Sequence, residues 1–268
     1  MLITRVLTAL VLIPLVLCAL YLLPHSGWVV FAALVTALGA WEWGGLCKLG
    51  SAGRIALGVT VGVLVELLAP PEFFVFREPW VWPVLAVATV FWVVVAPLWL
   101  KFRWNLQSTA LKGCLPGILL LVAAGIALAA LRAQAGASGL LAVMVVAWVA
   151  DTAAYFSGKA FGKHKLAPAI SPGKTWEGVA GALIAVGIYV VVMGHVAGIV
   201  WWKMLLAGWC LTAVSIVGDL MESLFKRQAG IKDSSQLLPG HGGVLDRVDS
   251  LIALLPVAAL AWPWLIQA

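Results

Sequence analysis

One stretch of the sequence, residues 219–249, combines residue types that could act on a charged substrate. The chain as a whole is 63% hydrophobic and has only 17 Lys and Arg and 11 Asp and Glu residues. A charged group near hydrocarbon costs several kcal/mol unless it is paired, hydrated or bound to a ligand. We therefore predict that this stretch handles a polar group. Its charged residues are Asp219, Glu222, Lys226, Arg227, Lys232, Asp233, Asp246, Arg247 and Asp249.

The spacing of these residues places carboxylates together on helix faces. Asp219, Glu222, Ser223 and Lys226 share one face if the helix continues through them, because residues three, four and seven apart are neighbours. Asp246 and the residue three positions later, Asp249, share a face in the same way. Carboxylates gathered at one place repel one another unless a cation lies among them. Oxygen ligands of this kind favour Mg²⁺ or Ca²⁺ over softer metals.

A glycine-rich turn lies between these two acidic segments. His241 stands among Gly240, Gly242 and Gly243, directly after Pro239. Glycine allows positive φ and close approach of backbone amides to a ligand, and such a nest suits phosphate oxygens. His241 could orient a phosphate, assist proton transfer or support another ligand. The alternative interpretation is an ordinary turn that leads into the next helix.

A second polar segment runs from Asp151 to Gly178 and is rich in glycine, proline and lysine. We expect an ordered loop, followed by a helix that Ser171 or Thr175 caps. Gly173-Lys174-Thr175 resembles the end of a phosphate-binding P-loop, but Pro168 stands where that motif needs glycine, so we reject it. The lysines and the helix N-terminus still favour an anion. Lysines that set the membrane topology and also contact anionic lipid headgroups would explain the composition almost as well.

The composition indicates which elements must position these residues. A mean hydropathy of +1.08 with 10% charged residues excludes an ordinary soluble domain. We predict an all-α, polytopic integral membrane protein with about nine transmembrane helices, divided into residues 1–145 and a catalytic region, 146–268. Polar loops 158–176 and 219–249 would form the active site. Apolar runs near bilayer-spanning length lie at about 6–23, 27–46, 55–70, 79–100, 113–131, 138–157, 177–197, 199–218 and 250–266.

The uneven distribution of Lys and Arg between the loops indicates how the chain is oriented in the membrane. With nine spans and a cytoplasmic N-terminus, all Lys and Arg residues lie on the cytoplasmic side except Arg77, Arg132 and Lys203. This is the distribution expected from the positive-inside rule. We predict a multi-pass protein of a bacterial-type cytoplasmic (inner) membrane, with the active site facing the cytoplasm.

The N-terminal half offers few candidates for chemistry. Glu42 and Glu66 are acids within predicted spans, which makes them functional candidates, but both lie near span ends and their roles stay open. Tryptophans at the predicted span ends are interpreted as an interfacial belt without chemistry. They are Trp28, Trp41, Trp43, Trp80, Trp82, Trp99 and Trp104.

The motifs resemble those of one family. Ser223-Leu-Phe-Lys226-Arg227, then Lys232-Asp233, then Leu238-Pro-Gly-His-Gly-Gly-Val-Leu-Asp246-Arg-Val-Asp249, resembles the signature of the phosphatidate cytidylyltransferases, also called CDP-diacylglycerol synthases. The segment 151–178 is similar to that family's second hallmark. The resemblance implies the Mg²⁺-dependent reaction of CTP with phosphatidate to give CDP-diacylglycerol and pyrophosphate in phospholipid biosynthesis.

The resemblance also implies roles for individual residues. Asp219, Asp246 and Asp249 would bind Mg²⁺, with Glu222 and Asp233 as weaker candidates and a second cation left open. Catalytic roles would fall to Asp219, Lys226, His241 and Asp246. An ion pair between Arg247 and Asp233 is the structural alternative for those two residues. The expected substrate- and phosphate-binding residues are Ser171, Lys174, Thr175, Ser223, Arg227, Lys232, Gly242, Gly243 and Arg247.

Two other functions compete with this prediction. A CTP-dependent lipid kinase shares the nucleotide and metal but would release CDP instead of pyrophosphate. A secondary transporter would use intramembrane acids such as Glu66 and Asp151 as an ion relay, but the two halves show no inverted repeat. We expect CTP, phosphatidate and membrane lipids as partners, leave a homodimer open, and expect no nucleic acid.

Overall fold

The protein is described from a computed structural model, which covers residues 2–69 and 79–267 and is mostly helical. Arg77, which is predicted to lie on the non-cytoplasmic side, is outside the described residues. A π-helical turn at Phe91–Val95 joins the helices Val81–Val90 and Ala96–Phe102. The helices are α1 (Leu2–Leu22), α2 (His25–Leu46), α3 (Ser51–Leu68), α4 (Val81–Val90), α5 (Ala96–Phe102), α6 (Ala110–Phe161), α7 (Trp176–Ala197), α8 (Trp201–Ala229) and α9 (Leu245–Ile266).

The helices are those of a multi-pass membrane protein. Within the described ranges, seven helical segments are long and apolar enough to cross a bilayer, and Val6–Leu22 forms a shorter apolar helix. One of the seven, Lys112–Phe161, has 50 residues. The backbone of Gly136 inside α6 is non-helical, with φ 70° and ψ 178°. The predicted membrane class therefore holds, whereas the predicted number of about nine spans is not confirmed.

The core brings α2, α6, α8 and α9 together. The indole N–H of Trp43 on α2 donates to the carbonyl of Gly113 on α6 at 2.9 Å, and its ring packs edge-on against Phe225 of α8. Trp28 is also buried and donates to the carbonyl of Leu128 at 3.0 Å. The interfacial-belt interpretation is therefore wrong for Trp28 and Trp43, because helix carbonyls satisfy their N–H groups inside the protein.

Helices α8 and α9 cross at very short range. A Cβ atom on Gly218 of α8 would stand 2.7 Å from the Cβ atom of Ala253 and 2.8 Å from the carbonyl oxygen of Asp249, both on α9. The two helices can approach this closely only because Gly218 has no side chain. The crossing places the acidic start of α9 beside the charged C-terminal part of α8.

The polar loop between α6 and α7 contains the only two β-strands within the described parts of the chain, apart from an isolated bridge between Leu238 and Gly242. Strands β1 (Lys165–Ala167) and β2 (Ser171–Thr175) form an antiparallel hairpin with Lys165 opposite Thr175. The turn between them contains Pro168, which cannot continue a helix. The mostly helical structure agrees with the predicted all-α membrane class, and this short hairpin lies within the predicted polar loop 158–176. The hairpin lies between α6 and α7 and carries Ser171 and Lys174.

Candidate functional site

The predicted charged face of α8 is present. The helix continues to Ala229, well past the apolar part of the span. The Lys226 ammonium donates to a Glu222 carboxylate oxygen at 2.5 Å, four residues earlier. The Ser223 hydroxyl similarly donates to Asp219 at 3.3 Å. The regular helical spacing therefore aligns these four side chains, as the sequence predicts.

Lys226 also joins α8 to α9. Its ammonium lies 2.6 Å from the Oδ1 atom of Asp246. The side chains of Lys226, Glu222 and Asp246 are only 14%, 5% and 4% exposed, respectively. One ammonium thus stands between two buried carboxylates. Removing one member of such a group would leave an uncompensated buried charge, which is costly.

The second oxygen of Asp246 organises the loop before α9. Its Oδ2 atom accepts hydrogen bonds from the Ser234 amide at 2.9 Å, the Ser234 hydroxyl at 3.0 Å and the Gly243 amide at 2.7 Å. Both Asp246 oxygens are therefore engaged by protein groups. The sequence predicts Asp246 as a metal ligand, but in this arrangement it binds Lys226 and the loop.

A second buried carboxylate, that of Glu42 on α2, lies beside the same loop. Glu42 is fully buried. One oxygen accepts from the Ser235 hydroxyl at 2.6 Å and the Val244 amide at 2.9 Å. The other accepts from the Leu245 amide at 2.6 Å and the Ser234 hydroxyl at 3.1 Å. The sequence indicated Glu42 only as an acid within a span, and nothing in it pointed to these partners.

The glycine-rich turn adopts the backbone that its sequence predicts. Gly240 and Gly242 have φ of 74° and 83°, and the Leu238 amide donates to the Gly242 carbonyl at 2.8 Å. The Gly243 amide, predicted to contact phosphate, instead donates to Asp246. The Nδ1 atom of His241 is buried without a hydrogen-bond partner. A buried polar atom of this kind is a candidate contact for a ligand or water.

A cavity of about 410 Å³ lies between α6, the hairpin, α7 and α8. The Lys174 ammonium and the Oδ2 atom of Asp219 form an ion pair at 2.6 Å in its wall. Thr175 also lines it, but its hydroxyl accepts from the Gly178 amide at 3.1 Å and so caps α7, as predicted. Other polar residues of the lining are Asp151, Tyr155, Lys159 and Ser171.

Two carboxylates, those of Asp151 and Asp219, line the cavity, and the Asp249 carboxylate lies close enough to interact electrostatically with both. Asp151 is missing from the predicted site residues. Among the residues described, no three His, Cys, Asp or Glu side chains form a ready cluster for a metal. Magnesium commonly uses only one or two carboxylates with water and substrate phosphates. Asp219 and Asp249 fit that requirement better than Asp246, whose oxygens are both engaged.

Several predicted phosphate contacts lie apart from the cavity. Arg227, Lys232 and Arg247 are exposed and are absent from the cavity lining. The alternative ion pair between Arg247 and Asp233 is not formed in the described part of the chain. Arg247 instead interacts electrostatically with Asp151. These three cations are therefore not part of the cavity wall.

The fold and the site define a multi-pass membrane protein with acidic and basic side chains gathered at the ends of its helices. Residues 3–264 match the model of the cytidylyltransferase family. A phosphatidate cytidylyltransferase of Pseudomonas aeruginosa is 46% identical over 274 residues, 96% of each chain. One of Haemophilus influenzae is 37% identical over 94% of this chain and 95% of its own. One of Brucella suis is 50% identical over 119 residues, 44% of each chain.

The family model and the relatives from Pseudomonas aeruginosa and Haemophilus influenzae cover nearly the whole chain. The protein belongs to the cytidylyltransferase family.

Replacing Lys226 with methionine tests the buried charge group. Lys226→Met should lower the free energy of unfolding by about 3–5 kcal/mol, because it leaves Glu222 and Asp246 without their cation. Thermal unfolding in detergent measures this loss. Arg227→Met is the matched control, since Arg227 is the next residue and is exposed. Equal melting temperatures for the two variants would contradict a structural role for the Lys226 ion pairs.

Proposed function

We propose that this protein transfers a cytidylyl group from CTP to phosphatidate, giving CDP-diacylglycerol and pyrophosphate in phospholipid biosynthesis. The observation that carries the proposal is the single cavity at which Ser171, Lys174 and Asp219 meet, in a chain whose near full-length relatives are named phosphatidate cytidylyltransferase. The two polar segments of the sequence thus supply one site, with both cations and anions in its wall.

In this reaction a phosphate oxygen of phosphatidate attacks the α-phosphorus of CTP. A new phosphorus–oxygen bond forms, and the bond from the α-phosphorus to the bridging oxygen of the β-phosphate breaks. Pyrophosphate leaves with that electron pair. The attacking oxygen is already anionic, so no strong general base is needed. The main obstacle is the repulsion between two polyanions, and phosphoryl transfer is catalysed largely by positioning and charge stabilisation.

The cavity wall and the nearby Asp249 carboxylate supply groups for both tasks. Lys174 and Lys159 would neutralise phosphate oxygens, and Ser171 would donate a hydrogen bond to one of them. Asp219 and Asp249 would hold Mg²⁺, with Asp151 beside them and a second cation still open. Bound Mg²⁺ would stabilise the charge of the leaving pyrophosphate. Phosphatidate would enter beside Tyr155, whose exposed side chain lines the cavity.

We further propose nine spans, with the site facing the cytoplasm of a bacterial inner membrane. Lys112–Phe161 would extend about 75 Å at about 1.5 Å per residue, more than twice the thickness of the bilayer core. The break at Gly136 would let it cross twice, and α1 would be a further span. A homodimer remains a prediction without a described interface.

Cysteine labelling tests the double crossing. In a chain with its four native cysteines replaced by alanine, Ser138→Cys should react with a membrane-impermeant maleimide only from the face opposite Lys163→Cys. The reason is that, in the proposed topology, the chain would turn back across the membrane at the break near Gly136. Lys112→Cys is the control and should react from the same face as Lys163→Cys. Reaction of the two lysine positions from opposite faces would show a single crossing.

Nucleotide selectivity tests the reaction itself. Purified protein given phosphatidate should release pyrophosphate from CTP and form CDP-diacylglycerol, because the proposed transfer breaks the bond after the α-phosphorus. Pyrophosphate release and lipid product are measured with CTP, dCTP and ATP. Release from ATP equal to that from CTP would exclude the cytidylyl assignment. Formation of CDP would instead indicate the lipid kinase that shares these requirements.

Asp219 is the carboxylate on which the proposed site depends most. Asp219→Asn should lower kcat by about 10²-fold or more, because the amide neither binds a hard cation as well nor pairs with Lys174. Turnover of CTP is measured at saturating Mg²⁺. Glu66→Gln is the control, since Glu66 is an exposed residue of α3 outside the cavity. Near-normal turnover of Asp219→Asn would remove Asp219 from the site.

A further inference from the structure

Glu42 is held in a way that a packing role alone does not require. It is fully buried, and no Lys, Arg or His of the described chain lies within ion-pair distance of it. Its four hydrogen bonds all come from residues 234–245, which are about 200 positions away in the chain. The amides of Val244 and Leu245 belong to the start of α9, where the helix dipole favours a negative charge.

One of the four donors also reaches Asp246. The Ser234 hydroxyl lies 3.1 Å from a Glu42 oxygen and 3.0 Å from the Oδ2 atom of Asp246. The other serine, Ser235, donates to Glu42, and its hydroxyl accepts from the Leu237 amide at 3.1 Å. Ser234 therefore links Glu42 to the charged group that contains Lys226, whereas Ser235 does not.

Gly243 shows how closely the loop approaches Glu42. A Cβ atom at this position would stand 2.5 and 2.6 Å from the two Glu42 carboxylate oxygens and would also meet the Ser234 hydroxyl. Such distances are too short for any carbon atom. This glycine, part of the turn predicted to cradle phosphate, is thus needed for the backbone to lie against Glu42. In that position its amide donates to Asp246 at 2.7 Å.

We propose that Glu42 is a positioning residue for the reaction: it fixes residues 234–245 against α2 so that Asp246 meets Lys226 on α8. This inference rests on the proposed function. It gives Glu42 no contact with substrate, since Glu42 is not in the cavity wall. Its effect passes through Ser234 and the Gly243 amide to Asp246, and from Asp246 to Lys226.

Substitution of Glu42 should therefore affect turnover more than binding. In Glu42→Gln the new amide nitrogen cannot accept the hydrogen bonds of the oxygen it replaces, so at least one anchor of the loop is lost. We expect kcat to fall about 10- to 100-fold, as is typical when a group that supports an active site from behind is removed, because Asp219 and Asp249 of the proposed site lie on the two helices that the Lys226–Asp246 pair joins. The KM for CTP should change little. Wild-type kcat in this variant would overturn the inference.

The two serines provide the matched comparison. Ser234→Ala and Ser235→Ala each remove one hydrogen bond to Glu42, but only Ser234 also contacts Asp246. Ser234→Ala should lower kcat nearly as much as Glu42→Gln, and the double variant should be no worse than the poorer single variant, because both act through one unit. Ser235→Ala should stay close to wild type. Equal kcat values for the two serine variants would mean that Glu42 only caps α9, contrary to the inference.

A measurement without turnover separates this inference from the proposed function. If the wild type does not use CTP and phosphatidate, the proposed function fails, and limited trypsin digestion still tests the positioning. Lys232 is exposed beside the loop, so cleavage there reports whether the segment is held. Faster cleavage at Lys232 in Glu42→Gln and Ser234→Ala than in Ser235→Ala supports the inference. Equal cleavage rates in all three variants and the wild type overturn it.

Discussion

The ammonium of Lys226 is the interaction on which the arrangement of α8 and α9 depends. Without it, Glu222 and Asp246 would be two buried carboxylates facing each other inside a bundle of apolar helices. Such ion pairs add little net stability, because desolvation offsets most of the attraction, but breaking one is costly. The effect of the Lys226 ion pairs is to select one arrangement of α8 relative to α9. The close crossing at Gly218 then brings Asp249 to the same side of the bundle as Asp219.

The cost of burying charge also explains how the loop before α9 is held. Asp246 has a second oxygen to satisfy, and it does so with the Ser234 and Gly243 groups of the loop. Glu42 satisfies both of its oxygens with amides and hydroxyls of that loop instead of a cation. Burial of a polar group is tolerable when every lone pair is used in this way. Five buried atoms on α8, α9 and the loop between them have no hydrogen-bond partner, and these are Ser215 Oγ, Glu222 Oε1, His241 Nδ1, Ser250 Oγ and Trp262 Nε1.

Local patterns were predictable, and distant pairings were not. The charged face of α8 follows from helical spacing, and the positive φ of Gly240 and Gly242 follows from glycine in a turn. The Thr175 cap is equally local. The role of Glu42 depends on loop residues about 200 positions away, which no periodicity encodes. The buried indoles of Trp28 and Trp43 were misassigned for the same reason, since their acceptors lie on another helix.

The exposure of the two groups of charges separates their roles. The Lys174 and Asp219 side chains are 25% and 28% exposed, so water reaches the pair, and breaking it costs less than breaking a pair that is closed to water. The Lys226 group is almost closed to water, and opening it would cost several times more. In the proposed reaction, a substrate phosphate would take Lys174 from Asp219, and a cation would take Asp219 from Lys174. The pair that would exchange its partners lines the cavity, and the buried Lys226 group would hold α8 and α9 in place while the partners of Lys174 change.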